Sequence, residues 1–233
     1  MPLRHSCAAP HQPIRGPAVN EPERPRRRYV SPLRAAALEA THGRIIASAR
    51  ELFATLGYQA TTLAAIAEAA GVSVPRVNLS GSKAHLLVEA YQRTISDQAD
   101  VRPITDEPTI QRIMALPTEE ALTTYVAWLA DHHAQSVRLW FALRDASSLD
   151  PEAAALFETI SARDDDACAA GVTWAAERGL LTGDVPAADR ACTWSVLASA
   201  EVYHRYVERH GWTPEQYGAW VRQALDRLVF DLA

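Results

Sequence analysis

Residues 44–87 read RIIASARELFATLGYQATTLAAIAEAAGVSVPRVNLSGSKAHLL and decide the fold. At its start, Ile45, Ile46, Ala49, Leu52, Phe53 and Leu56 recur with a period of 3.6, the face of an amphipathic helix. Gly57 suits the end of that helix, where glycine takes a left-handed conformation at little cost. Thr62 is placed to cap a second helix that turns Leu63, Ile66, Ala67 and Ala70 inward. Gly71 makes the next turn, and Ser73 caps a third helix over residues 73–79 with Pro75 in its first turn. Two helices joined by a short glycine-containing turn describe a helix-turn-helix, whose second helix can enter a DNA major groove.

The rest of the chain reads as helix too. A fourth helix starts near Lys83, capped by Ser82, with an apolar stripe of Leu86, Leu87, Ala90, Tyr91 and Ile95. Acids and prolines between 97 and 108 predict a loop, followed by a short helix at 109–115 and helices at 118–135 and 136–148. Asp150-Pro151 starts a helix that Gly179 stops, another runs over 187–209, and Thr213-Pro214-Glu215-Gln216 forms a capping box for the last. With no alternating β pattern of useful length, the expected fold class is all-α: a three-helix head, residues 41–90, joined to a larger helical body, residues 91–233. Residues 1–40, rich in Pro and Arg, are expected to be a disordered basic arm.

Charge divides the same way. The net charge is −5 over 233 residues, yet residues 1–93 hold twelve Arg and Lys against six acids, and the remainder holds eleven against twenty-two. A basic N-terminal region on an acidic body fits a nucleic-acid reader attached to something that need not touch phosphate. Three widely spaced cysteines, Cys7, Cys168 and Cys192, make neither a disulfide framework nor a zinc site and suit a reducing cytoplasm. Residues 1–30 lack the apolar core of a signal peptide, and no stretch reaches the length of a membrane span, so a cytoplasmic protein is expected.

On the third helix the candidates for DNA contact are Ser73, Val74, Arg76, Asn78 and Ser80. Arginine pairs bidentately with guanine, asparagine with adenine, and hydroxyls with phosphate. Thr61, Thr62 and Lys83 sit near helix N-termini, where amide N–H groups already favour an anion. In the body, Tyr91, Tyr125, Trp128, His132, Trp140 and Arg144 are candidate walls of a ligand pocket, with Arg144 as its polar anchor. His132-His133 and Asp164-Asp165-Asp166 lack the spacing of a helical metal site, so no metal or cofactor is expected, and the acidic run reads as a solvated face. No nucleophile elbow, phosphate loop or zinc-protease motif is present, which argues against an enzyme.

The framework ARELFATLGYQATTLAAIAEAAGVS with GSKAHLL resembles the DNA-binding head of the TetR family of transcriptional regulators. Val202-Tyr203 and residues 211–215 (GWTPE) also resemble body sequences of one branch of that family. The resemblance implies a homodimer on operator DNA, a body that binds a small molecule, and repression relieved by that ligand. It also implies an intersubunit bundle from residues 151–178 and 187–209, with small Ala167, Ala169, Ala170 and Gly171 allowing close approach. Two positions depart from the family: Asn78 stands where a tyrosine is usual, and Leu79-Ser80 runs into Gly81-Ser82-Lys83 one residue early, without the usual aromatic. Two other readings remain: a helical ligand- or partner-binding dimer whose head has lost specific DNA recognition, and a small helical enzyme using the body cavity.

Overall fold

The computed structural model describes residues 32–95 and 103–231, and all regular structure among them is helical. The order is α1 (Pro32–Ala60), α2 (Leu63–Ala70), α3 (Val74–Asn78), α4 (Lys83–Gln92), a 3₁₀ turn (Ile104–Asp106), α5 (Pro108–Ala115), α6 (Thr118–Ser147), α7 (Pro151–Glu177), α8 (Ala187–Leu197), α9 (Ala200–Tyr203) with a π-helical continuation (His204–Arg209), and α10 (Pro214–Leu228).

Local chemistry sets most of these ends. Gly57 leaves helical geometry inside α1 at φ 75° and ψ 179°, a combination essentially restricted to glycine. The Thr62 hydroxyl accepts from Ala65 N, and left-handed Gly71 closes α2 as its carbonyls take the Gly71 and Val72 N–H groups. Ser82 caps α4, Asp150 caps α7, and Thr213 with Gln216 forms the expected capping box on α10.

The expected disordered arm is corrected at its end: residues 32–40 are the first turns of α1. Pro32 sits at the helix start and Ala35, Ala36, Ala37, Leu38, Glu39 and Ala40 are strong helix formers, which a composition rich in Pro and Arg concealed. Residues 1–31 lie outside the described residues. The two helices expected at 118–135 and 136–148 are one, because nothing at Gln135-Ser136 breaks the ladder. The helix expected over 187–209 instead stops at Leu197 and restarts after Ser199, whose side chain accepts from Val202 N.

Two apolar clusters hold the molecule together. The first joins Ile45, Ile46, Phe53, Ile66 and Val77 of the head to Leu86, Leu87 and Tyr91 of α4 and to Leu139, Leu143, Ala153 and Ile160 of the body. The boundary expected at residue 90 therefore falls inside α4 and inside a continuous core. Polar bonds reinforce the joint: buried Glu89 holds His42 of α1 at 2.7 and 2.9 Å and accepts from Arg93, and the Tyr58 hydroxyl donates to Asp150 Oδ2 at 2.8 Å. The second cluster, from Ile110 to Phe230, builds the body around α6, α7, α8 and α10.

Candidate functional site

The head presents α3 on its surface. Val77 alone of its residues is buried, seated on the head core, which leaves Val74 and Asn78 exposed and Arg76 half-exposed with no ion pair among the described residues. Ser73 occupies the N-cap position without a side-chain bond, so its hydroxyl is unspent, while the Ser80 hydroxyl lies 3.5 Å from Arg76 O. Leu79 caps the far end of α3 and is 79% exposed, a large apolar side chain beside the polar candidates. Ser73, Val74, Arg76 and Asn78 are thus gathered on one short element.

The three candidates near helix starts fare differently. Thr62 is exposed at the head of α2. Thr61 is fully buried and donates its hydroxyl to Gly57 O at 2.8 Å, so it closes the turn between α1 and α2 rather than facing an anion. Lys83 holds its ammonium 4.2 Å from the Tyr58 ring and 3.5 Å from Gln59 O. Partial burial lowers its pKa and the nearby Asp150 carboxylate opposes this.

The body encloses a cavity of about 470 Å³ between α4, α5, α6, α7 and the α8–α9 junction. Five of the six expected wall residues line it: Tyr91, Tyr125, Trp128, His132 and Trp140. Trp128 stacks on His132 with ring centroids 5.5 Å apart, Tyr125 meets Trp194 edge-on at 5.7 Å, and Trp140 packs on Phe157 at 5.0 Å. Arg144 is the exception. One turn beyond Trp140, it has passed the end of the cavity and lies exposed, its guanidinium over the Phe141 ring at 4.4 Å and 3.7 Å from Glu201.

The charged groups that do line the cavity are Arg163, Asp164, Asp165 and Glu201. Buried Arg163 donates from Nη1 to Gln92 Oε1 at 2.9 Å and from Nε and Nη2 to Asp164 Oδ1. Desolvation raises the Asp164 pKa against the pull of Arg163. Trp140 Nε1 donates to Glu201 Oε1 at 2.8 Å. His132 and His133 also line the cavity and are kept neutral, burial lowering their pKa values to about 3 and about 4. The expectation that the acidic run is a solvated face is therefore corrected for Asp164, which is half-buried, whereas Asp165 and Asp166 are exposed as expected. The signal was present in the spacing: Ser161, Asp164, Asp165, Cys168, Gly171 and Trp174 all line the cavity and fall on one face of α7.

The sequence profile of the bacterial regulatory proteins of the tetR family matches residues 45–90, from the core face of α1 through α4. Residues 45–90 are a tetR-type regulatory head. The solved structures share the fold of both head and body. A candidate transcriptional regulator from Pseudomonas aeruginosa PAO1 is 18% identical, with a TM-score of 0.63 over 82% of this chain and 90% of that one. NalD, the secondary repressor of the MexAB-OprM multidrug efflux pump in the same species, is 18% identical, with a TM-score of 0.62 over 82% of this chain and 96% of its own. A candidate regulator from Saccharomonospora viridis, solved with choline, is 16% identical, with a TM-score of 0.62 over 82% and 98%. No curated protein sequence matches the chain.

Within a TetR-family head, α2 and α3 are the helix-turn-helix and α3 its reading element. Of the small residues expected to line an intersubunit bundle, Ala167 lines the cavity and Gly171 lies against the Trp194 ring, so both serve the inside of the subunit; Ala169 is exposed. No described helix is long and apolar enough to cross a membrane.

Proposed function

We propose that this chain is a TetR-family regulator, a homodimeric repressor that holds a near-palindromic operator and releases it when a small molecule enters the body cavity. The observation that carries the reading is that one continuous core runs from the back of the reading head, through α4, to the helices that wall the cavity. Tyr91 belongs to both: it lies in the head's core cluster and lines the cavity. A ligand that favours one placement of α4 and α7 over another thereby biases where α3 sits, by as much as its affinities for the two placements differ.

At the DNA, Arg76 and Asn78 read bases, Val74 contacts a thymine methyl, and Ser73, Ser80, Thr62 and Lys83 contact phosphates. Two such heads occupy successive major grooves, with α7 and the 187–209 segment supplying the surfaces between subunits. That an S. viridis regulator of this fold was solved with choline supports a small organic molecule as the effector. A protein with this task works in the cytoplasm, where the DNA is.

The test is a mobility shift with DNA from upstream of the gene, at fixed salt. Specific binding is expected, and Arg76→Ala should weaken it by about 1–3 kcal/mol and relax the preference at one base position. Equal binding to upstream and random DNA overturns the repressor reading in favour of a dimer that binds ligand without reading DNA.

A further inference from the structure

The charges and walls of the cavity restrict what can occupy it. Its aromatic walls include Tyr91, Trp128, Trp140, Trp174 and Trp194, whose π-faces attract a cation and repel an anion. Among the described residues it holds one guanidinium, Arg163, against three carboxylates, and that group is already committed to Gln92 and Asp164. The two lining histidines carry no charge near neutral pH.

The carboxylates, by contrast, are half spent. Asp164 receives both Arg163 bonds on Oδ1, and Oδ2 has no partner among the described residues; its side chain is 40% exposed. Glu201 receives Trp140 Nε1 and the more distant Arg144 on Oε1, leaving Oε2 without a partner among the described residues; its side chain is 44% exposed. Among the described residues an anionic ligand would meet two open carboxylate oxygens and no uncommitted cation. An uncharged apolar ligand would strip water from those oxygens and return nothing. A hydrophobic cation satisfies both the oxygens and the rings.

We infer that the cavity takes a hydrophobic organic cation, an aryl- or alkyl-substituted ammonium or phosphonium, with Asp164 and Glu201 as its counter-charges. The inference rests on the cavity being the effector site. It assigns a binding role to Asp164 and Glu201, from α7 and α9, and none to Arg144.

Two ions of like shape and opposite charge test it. The full chain is titrated with tetraphenylphosphonium and with tetraphenylborate, by calorimetry and by the fluorescence of the lining tryptophans. The phosphonium should bind and the borate should bind at least about tenfold more weakly, the factor that 1.4 kcal/mol represents. Glu201→Gln keeps an acceptor for Trp140, and Asp164→Asn keeps one for Arg163; each should weaken the phosphonium about tenfold with the borate unaffected or improved. Borate binding as tight as phosphonium, binding of neither, or phosphonium affinity unchanged in both variants overturns the inference. The effector reading fails separately: the phosphonium then binds in the cavity, sensitive to both variants, yet leaves operator binding unchanged.

Discussion

Thr61 and Thr62 are neighbours with the same side chain, and the fold divides them. Thr61 is buried with its hydroxyl on Gly57 O; Thr62 is exposed with its hydroxyl on Ala65 N. Thr61→Val keeps the volume and deletes one buried hydrogen bond, so urea unfolding should show a loss of about 1–2 kcal/mol while operator affinity of the folded protein stays the same. A loss of affinity at unchanged stability would restore Thr61 as a DNA contact. Arg144 teaches the same lesson from the body. Its spacing from Tyr125, Trp128, His132 and Trp140 continues their stripe, but periodicity along a helix does not say where a cavity ends. Trp140, held by Phe157 and Glu201, is the last residue of that stripe to line it.

Among the elements, α10 lies close against α6 at Gly218, where an added Cβ would stand 3.2 Å from the carbonyl oxygen of Val126. Gly218→Ala gains about 1 kcal/mol of helix propensity but must push the two helix backbones apart, at a cost of about 1–3 kcal/mol. A net loss near 1 kcal/mol is expected in the urea midpoint; a gain would mean that the helices separate freely. Helix ends were legible in the sequence because capping is local: Thr62, Gly71, Ser82, Asp150 and Thr213 each act within three or four residues of themselves. The break between α8 and α9 was not. It leaves the carbonyls of Leu197 and Ala198 outside a helical ladder, and these receive the Tyr217 hydroxyl and His133 Nε2, partners 20 and 65 residues away. The cavity was half legible. Its aromatic wall on α6 follows helical spacing, whereas the acids of α7 look like surface until a second helix is laid against them.

At the scale of the whole molecule, burial of His132 and His133 ties stability to pH. Both have folded pKa values, about 3 and about 4, below the 6.5 of free imidazole. Between about pH 4 and 6.5 the unfolded chain therefore binds more protons, so their contribution is complete above pH 6.5 and is lost as pH falls through that window. Unfolding free energies measured from pH 7 to 4.5 should fall by up to about 1.4 kcal/mol per pH unit for each histidine, and His132→Asn should remove its share of the slope. A flat profile in the wild-type chain would contradict neutral burial. The last point is mechanical and starts from Asp150. Its Oδ1 accepts from Glu152 N and Ala153 N at the start of α7, while its Oδ2 accepts from Tyr58 of the head. Asp164, in the cavity wall, lies on the same helix about 21 Å further along at 1.5 Å per residue, so α7 is a lever with the cavity near its middle and the head hung on its end. A tilt of roughly 5° about the cavity would carry Asp150 by about 2 Å, enough to break a 2.8 Å hydrogen bond whose attraction fades within an ångström. Ligand work done on the wall would then reach the reading head as a released tyrosine, together with a shift of Ala153 in the core that α7 shares with the head.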